Sequence, residues 1–285
     1  MKLLITGAGG QLGQEWVHFC KGNEIEYSAY SSKNLNILDE DNLANIFEQD
    51  NPDILINCAA YTKVDQAEDE PQLAGLVNSE SLKFICELCS VHQTKLVHYS
   101  TDYVFSGSEE DRKEVPDGYP EDFKTNPINI YGSSKRRGEL AIIESGCKYM
   151  IIRVSWLCGQ FGNNFVKTML RLGEERERLT VVNDQFGSPT FTDQVVEQTY
   201  QLIHKNKSGI FHLSSKGTVT WCEFAKEIFN QKNLGVEVVP VSSSEFKTKA
   251  MRPYFSKLST QKISTIEGIK ILSWQEGLKK LLNSL

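Results

Sequence analysis

Two short segments of this chain carry residue types that could deliver a proton. Tyr131-Gly132-Ser133-Ser134-Lys135 is a Tyr-x-x-x-Lys step, and about thirty residues upstream an apolar run ends in Ser100-Thr101-Asp102. If residues 131–135 are helical, a spacing of four puts the phenol and the ammonium on one face, about one turn apart. An ammonium held there would favour phenolate and bring the Tyr131 pKa below its usual value of about 10. The Thr101 hydroxyl would complete a relay. A lone pair of this kind is equally a surface aromatic beside a solvated lysine, so its meaning depends on the elements that hold it.

Those elements read as a nucleotide-binding βαβ unit. Residues 2–6 are a short β-rich run, closed by Gly7-Ala8-Gly9-Gly10-Gln11-Leu12-Gly13, and 14–20 reads as helix. Further strands are expected over 25–30, 54–57, 96–99, 150–154, 180–182 and 210–213, with helices over 41–49, 72–91, 134–144, 164–174 and 193–204. This alternation predicts an α/β fold, a Rossmann-type doubly wound parallel sheet with helices on both faces. The division expected is a dinucleotide-binding domain over 1–155, with the chain returning to it near 180–214. A smaller mixed α/β lobe over 156–179 and 215–285 would bind the substrate. Its signals are a helix over 221–230, a strand over 236–241 and a closing helix over 274–285. A polar stretch over 107–129 is too long for an ordinary connection and predicts a surface excursion or an active-site border.

Glycines 7, 10 and 13 follow Gly-x-x-Gly-x-x-Gly. Glycine allows the tight turn, lets backbone approach a pyrophosphate, and leaves that anion at the positive end of the helix. The second strand would normally end in an acid that binds the NAD ribose. Here it ends in Tyr30-Ser31-Ser32-Lys33. Without a carboxylate to repel a 2′-phosphate, and with Ser31, Ser32 and an ammonium to bind one, NADPH is the expected cofactor; NADH use stays open.

Composition narrows the function classes. The 285 residues are 40% apolar and carry a formal charge of −6, with acids and bases interspersed, so nucleic acid is not an expected partner. No apolar run reaches the eighteen or so residues of a membrane span, and the first strand follows the first residue directly, so a cytoplasmic protein is expected. Seven cysteines in mostly apolar contexts, with one Cys86-x-x-Cys89 pair lacking partners, read as reduced thiols and give no zinc site.

The glycine loop, Ser100-Thr101-Asp102 and Tyr131-x-x-x-Lys135, in this order, resemble the extended short-chain dehydrogenase/reductases. Further segments resemble the dTDP-4-dehydrorhamnose reductase family: Asn57 to Glu68, Arg153-Val154-Ser155-Trp156, Asn163-Asn164-Phe165-Val166, Asp184-Gln185-Phe186-Gly187-Ser188-Pro189-Thr190 and Arg252-Pro253. The resemblance runs from residue 1 to the final helix. It implies that Gly10, Gln11 and Leu12 line the pyrophosphate, that Ala59, Ala60 and Tyr61 flank the cofactor, and that Tyr131 and Lys135 touch the nicotinamide ribose. Thr101 and Asp102 would touch the sugar and Trp156 would pack on it; a core aromatic and a turn cap are the plain alternatives for Trp156 and Asp102. Where the family has Leu-Asp-Ile near the adenine this chain has Leu35-Asn36-Ile37, so Asn36 brings hydrogen bonds without charge. Arg252 would meet the nucleotide diphosphate or form a surface salt bridge. Some family members bind magnesium at a dimer contact; Glu15 matches one such position and Asp193 is a candidate for another, but no full ligand set is found and no metal ligand is expected.

The activity implied is reduction of the 4-keto group of dTDP-4-dehydrorhamnose, with Tyr131 as proton donor, Thr101 as hydrogen-bond donor to the same oxygen and Lys135 lowering the phenol pKa. A reductase or epimerase of another nucleotide-linked sugar, or a regulatory subunit that binds dinucleotide without turnover, are the alternatives. A homodimer is left open.

Overall fold

The structure, a computed structural model, describes residues 1–285. Its first half runs β1 (Leu3–Thr6), α1 (Gln11–Gly22), β2 (Tyr27–Tyr30), α2 (Glu40–Asp50), β3 (Ile54–Asn57), α3 (Val64–Ala67), α4 (Pro71–Gly75), α5 (Ser81–Val91), β4 (Lys95–Thr101), α6 (Glu109–Glu114), α7 (Ile130–Glu144) and β5 (Tyr149–Val154). The second half continues through β6 (Leu157–Cys158), α8 (Phe165–Glu175), β7 (Arg178–Val182), β8 (Phe186–Gly187), β9 (Thr190–Phe191), α9 (Thr192–His204), β10 (Gly209–His212), β11 (Val219–Thr220), α10 (Trp221–Gln231), β12 (Glu237–Val241), α11 (Gln261–Ser264) and α12 (Trp274–Ser284).

β1 and β3 are buried at every position, as parallel strands covered on both faces must be. Six strands form one parallel sheet in the order β10-β5-β4-β3-β1-β2. The order reverses at β1, which opens a crevice beyond the carboxyl ends of β1 and β3. Side chains alternate across the sheet. Leu3, Ile5, Val97 and Ile152 pack with Trp16 of α1 and Val195 of α9, whereas Leu4, Leu55, Leu96 and Ile151 pack with Phe47 of α2, Ile85 of α5 and Ile142 of α7. The doubly wound α/β architecture expected from the alternation is the one observed.

The strand expected over 180–182 does not join this sheet. β7 pairs with β12 in parallel, from Arg178 opposite Glu237 to Val182 opposite Val241, and packs in a separate core with Phe224, Ile228, Phe229 and Leu278. Its burial explains the choice: Arg178 and Thr180 are exposed while Leu179 and Val181 are buried, a strand covered on one face only. The chain returns to the large sheet through α9 and β10, the latter pairing with β5.

Two features fix α7, which carries the Tyr-x-x-x-Lys step. The helix expected over 72–91 forms, but with a π-helical segment at Leu76–Glu80. There the Asn78 side chain accepts from the Tyr61 backbone N–H at 2.8 Å and donates to Ser134 of α7 at 2.9 Å. A Cβ on Gly138 would lie 2.0 Å from the Asn78 carbonyl oxygen, so only glycine admits this approach. On the other side, Arg153 of β5 grips Glu139 of α7 with two hydrogen bonds of 2.8 Å, both side chains buried. Removing either partner would strand a buried charge, so the pair holds helix to sheet. The excursion over 107–129 folds back as α6 and as Tyr119, which stacks on Phe105 at 4.2 Å and packs against Phe255 and Leu258.

Candidate active site

A cavity of about 640 Å³ opens at the carboxyl ends of β1, β3, β4 and β5, roofed by the second lobe. Gly10, Gln11, Leu12, Ala59, Ala60, Thr101, Asp102, Tyr131, Lys135 and Trp156 all line it, so the structure gathers around one space residues that lie far apart in sequence. Asp102 and Lys135 are the charged side chains in its wall.

Asn129 starts α7 by accepting from the Gly132 N–H at 2.7 Å, which places Tyr131 in the first turn and Lys135 one turn on. Both face the cavity, but they do not act on each other as the spacing suggests. Lys135 Nζ donates to the Tyr99 carbonyl oxygen at 2.6 Å and lies 3.0 Å from His98 Nε2. Its amine is thus turned into β4, and Lys135 does not figure among the causes that shift the phenol. The Tyr131 pKa is pushed up to about 12 by burial, against which the Thr101 hydroxyl acts. The expected lowering by Lys135 is corrected here: a shared helix face sets where two side chains start, and burial decides where the longer one ends. Burial also lowers Lys135 itself to about 8.

Thr101 and Asp102 end β4 and open the 3-10 turn Asp102–Val104. The Thr101 hydroxyl donates to Asp102 Oδ1 at 2.8 Å and accepts from the Tyr103 N–H at 3.2 Å. Asp102 is buried and its Oδ2 has no partner, as is true of Ser100 Oγ. Burial therefore pushes the Asp102 carboxyl up to about 7. The Thr101 hydroxyl, and after it Ser256, act against that rise. Across the space, Trp156 sits at φ +45°, a region bulky side chains seldom adopt. Its ring stacks on Trp221 with centroids 3.5 Å apart and donates through Nε1 to Ser256 at 3.1 Å. The strained backbone is held by this packing and by Gly187, where a Cβ would lie 2.6 Å from the Trp156 ring. Trp221, Phe165 and Ser256 belong to this wall and its support; Phe165 stands in the Asn163-Asn164-Phe165-Val166 segment that resembles the family, whereas Ser256 gave no sign in the sequence and Trp221 reads there only as the start of a helix.

The glycine loop fits a dinucleotide. Gly7 lies at φ +67°, and a Cβ there would stand 2.5 Å from the Ala59 nitrogen. No side chain caps the start of α1, so the first-turn N–H groups are left for an anion. Gly13 serves packing, since a Cβ there would meet the Gly7 oxygen at 2.3 Å. The Gln11 side chain is tied to the other lobe, donating to the Leu157 carbonyl at 3.1 Å and accepting from Asn164 at 2.8 Å. Ser31 packs beside Gly9 and Ser32 is exposed. Other expected cofactor residues stand off the cavity: Tyr61 turns its hydroxyl to Glu70 at 2.7 Å, Asn36 is exposed and accepts from the Leu38 N–H at 3.1 Å, and Ile37 is buried in the core. Arg252 donates to Asp65 at 2.6 Å, the salt-bridge alternative, while its Nη1 is buried without a partner.

The magnesium-type carboxylates do not fit a cation. Glu15 is buried and accepts from Thr192 at 2.6 Å and Gln160 at 3.1 Å, and Asp193 pairs with Lys280 at 2.7 Å. Protein donors already satisfy both groups, beside a separate hollow of about 370 Å³ between α1, α9 and α12.

The fold and the site define an oxidoreductase of the short-chain dehydrogenase/reductase type, in which a Rossmann sheet carries a Thr, Tyr and Lys constellation at its carboxyl edge. The family model described as the RmlD substrate binding domain matches residues 1–285. The dTDP-4-dehydrorhamnose reductase of Escherichia coli K12 is 36% identical, the match covering 100% of this chain and 98% of that protein. The spore coat polysaccharide biosynthesis protein SpsK of Bacillus subtilis is 39% identical, over 99% of this chain and 96% of its own. The crystal structure of dTDP-4-dehydrorhamnose reductase from Bacillus anthracis in complex with NADP superposes with a TM-score of 0.94 at 41% identity, covering 100% of this chain and 99% of that one. The chain belongs to the dTDP-4-dehydrorhamnose reductase family. No helix is long and apolar enough to cross a membrane.

Proposed function

We propose that this chain reduces the 4-keto group of dTDP-4-dehydrorhamnose to give dTDP-L-rhamnose, in the cytoplasm and with NADPH as reductant. The observation that carries the reading is the convergence of Thr101, Asp102, Tyr131, Lys135 and Trp156 on one cavity beside an uncapped glycine loop. NADPH, when bound, supplies the hydride. Gly10, Gln11 and Leu12 hold its pyrophosphate, Ala59 and Ala60 flank it, and Ser31 and Ser32 receive the 2′-phosphate. The dinucleotide lies on the 1–155 unit and the sugar nucleotide against the second lobe, to whose core β7 belongs.

The phenol of Tyr131 is protonated at neutral pH, since its pKa stands at about 12. It is therefore a proton donor without prior activation, and gives its proton to the carbonyl oxygen as charge develops there. Thr101 has one hydroxyl proton, now on Asp102. An oxygen gathering negative charge competes for that proton and is stabilised by it, a contribution of the oxyanion type. Asp102 Oδ2 accepts from a sugar hydroxyl, Trp156 offers its ring to the sugar face, and Lys135 binds ribose hydroxyls. Arg252 approaches the nucleotide diphosphate through its unpartnered nitrogen.

Supplying NADPH and the dTDP-linked 4-keto sugar, and following absorbance together with product identity, tests this. Oxidation of NADPH with formation of dTDP-L-rhamnose is the expected result. Tight dinucleotide binding with no turnover of any keto sugar would instead favour a non-catalytic subunit.

A further inference from the structure

Lys135 ends a buried chain of side chains that begins on β1. Thr6, Asn57, His98 and Lys135 are all at most 1% exposed. The hydrogen bonds along the chain assign a proton to each member. Asn57 Oδ1 accepts from the Thr6 hydroxyl at 2.8 Å and from the Ala59 backbone N–H at 3.1 Å. The backbone donor fixes the amide, so the Asn57 NH₂ is the group that faces His98 Nδ1 at 3.1 Å. Nδ1 must then offer its lone pair. Burial holds the His98 pKa well below the usual range, so the ring is neutral and its single proton sits on Nε2.

That Nε2–H points at Lys135 Nζ, 3.0 Å away. An ammonium has three N–H groups and no lone pair, so an ammonium facing an imidazole N–H sets donor against donor. An uncharged amine resolves the conflict: its lone pair accepts from His98 while one N–H is donated to the Tyr99 carbonyl at 2.6 Å. We propose that His98 is a positioning residue that, on the alkaline side of neutrality, holds Lys135 as the uncharged amine until a dinucleotide binds, so that binding there draws one proton from solvent onto Nζ. The inference rests on the ketoreductase reading above. The step is amine plus proton to ammonium; no electron moves. Charging Lys135 breaks its contact with His98, so protonation and release toward the cavity are one event.

The groups facing Lys135 agree. On α7, Glu139 is engaged by Arg153 at 2.8 Å and by Arg136 at 3.2 Å, and Tyr131 is a neutral phenol. From the end of β3, Cys58 is kept a thiol by burial, and β4 presents His98 and the Tyr99 carbonyl. None supplies a free negative charge that would keep the ammonium in place.

The experiment is calorimetric titration of NADP⁺ into the whole protein in buffers of unlike ionisation enthalpy, from pH about 7 to about 9, a range that spans the Lys135 value of about 8. Uptake should approach one proton per site at the alkaline end and shrink as pH falls. In Asn57→Asp, a carboxylate would still accept from Thr6 and Ala59 and would also accept from Nδ1–H. The imidazole proton then leaves Nε2, Lys135 stays charged, and uptake should fall close to zero while NADP⁺ still binds. Independently of any variant, ¹⁵N NMR of histidine-labelled, ligand-free protein should show His98 protonated on Nε2. A proton on Nδ1, or NADP⁺ binding without pH-dependent uptake, would overturn the proposal. Neither measurement uses the sugar: proton uptake with an unreactive keto sugar would support the role of His98 while overturning the proposed substrate, and turnover without uptake would do the reverse.

Discussion

Asp102→Asn should change the pH dependence of stability by a predictable amount. In the folded protein burial lifts the Asp102 carboxyl from 3.8 to about 7. Because the folded value is the higher one, the native state keeps a proton that the unfolded chain has released. The associated stability is fully present below pH about 3.8, declines between there and pH about 7, and is gone above it. The slope in that window is about 1.4 kcal/mol per pH unit, so the loss between pH 5 and pH 8 is about 3 kcal/mol. Asparagine has the same shape, can still accept from Thr101 through its oxygen, and never ionises. All other titrating groups are common to the two proteins and cancel in the difference. Urea unfolding of ligand-free wild type and variant at several pH values between 5 and 8 reads this directly. The variant should gain about 3 kcal/mol relative to wild type across the range, and should bind the sugar nucleotide less well because Oδ2 no longer accepts. Parallel pH curves for the two proteins would refute the reasoning, since they would mean that Asp102 ionises as easily in the cavity as in the unfolded chain.

Tyr131→Phe and Lys135→Met should each lower turnover at least about a hundredfold, given the usual worth of general acid catalysis; a Tyr131→Phe protein with near wild-type turnover would end the assignment of the proton donor. Glu139→Gln should cost about 3–5 kcal/mol in unfolding free energy, because it leaves the buried Arg153 guanidinium without its countercharge; a loss under about 1 kcal/mol, the range of exposed pairs, would show that the pair does not anchor α7. Initial rates with NADPH and NADH at equal concentration should favour NADPH, and a strong NADH preference would count against Ser31 and Ser32 as the phosphate site.

The sequence and the fold agree where a short window contains the whole cause. β3 was legible to the residue because three apolar positions in a row require cover on both faces, and Asn57 closes the run. α1 starts where glycines permit a turn and nothing caps the helix, and α7 contains the Tyr-x-x-x-Lys step with both side chains at the cavity. The resemblance to a reductase family, read from motifs spread along the chain, agrees with the family match over residues 1–285.

What local pattern did not contain was the direction and depth of individual side chains. Spacing placed Lys135 beside Tyr131, but its stem is long and its surroundings dry, so the amine runs to the nearest carbonyl and imidazole on β4. Trp156 was a candidate in the sequence, yet its left-handed backbone and its stack on Trp221, 65 positions further along the chain, belong to the packing of the second lobe. Asn78 gave no signal, since its partners Tyr61 and Ser134 lie 17 and 56 residues away in the chain. Tyr61 and Asn36 carry suitable groups for a cofactor, and only the fold shows that the Tyr61 hydroxyl meets Glu70 and that Asn36 Oδ1 meets the Leu38 backbone. Periodicity, turn chemistry and charge act over a few residues, and the sequence by itself therefore determined the order of elements and the kind of chemistry. Hydrogen-bond partners and burial are set by residues distant in the chain, so only the tertiary structure decided which proton each group holds and where it points.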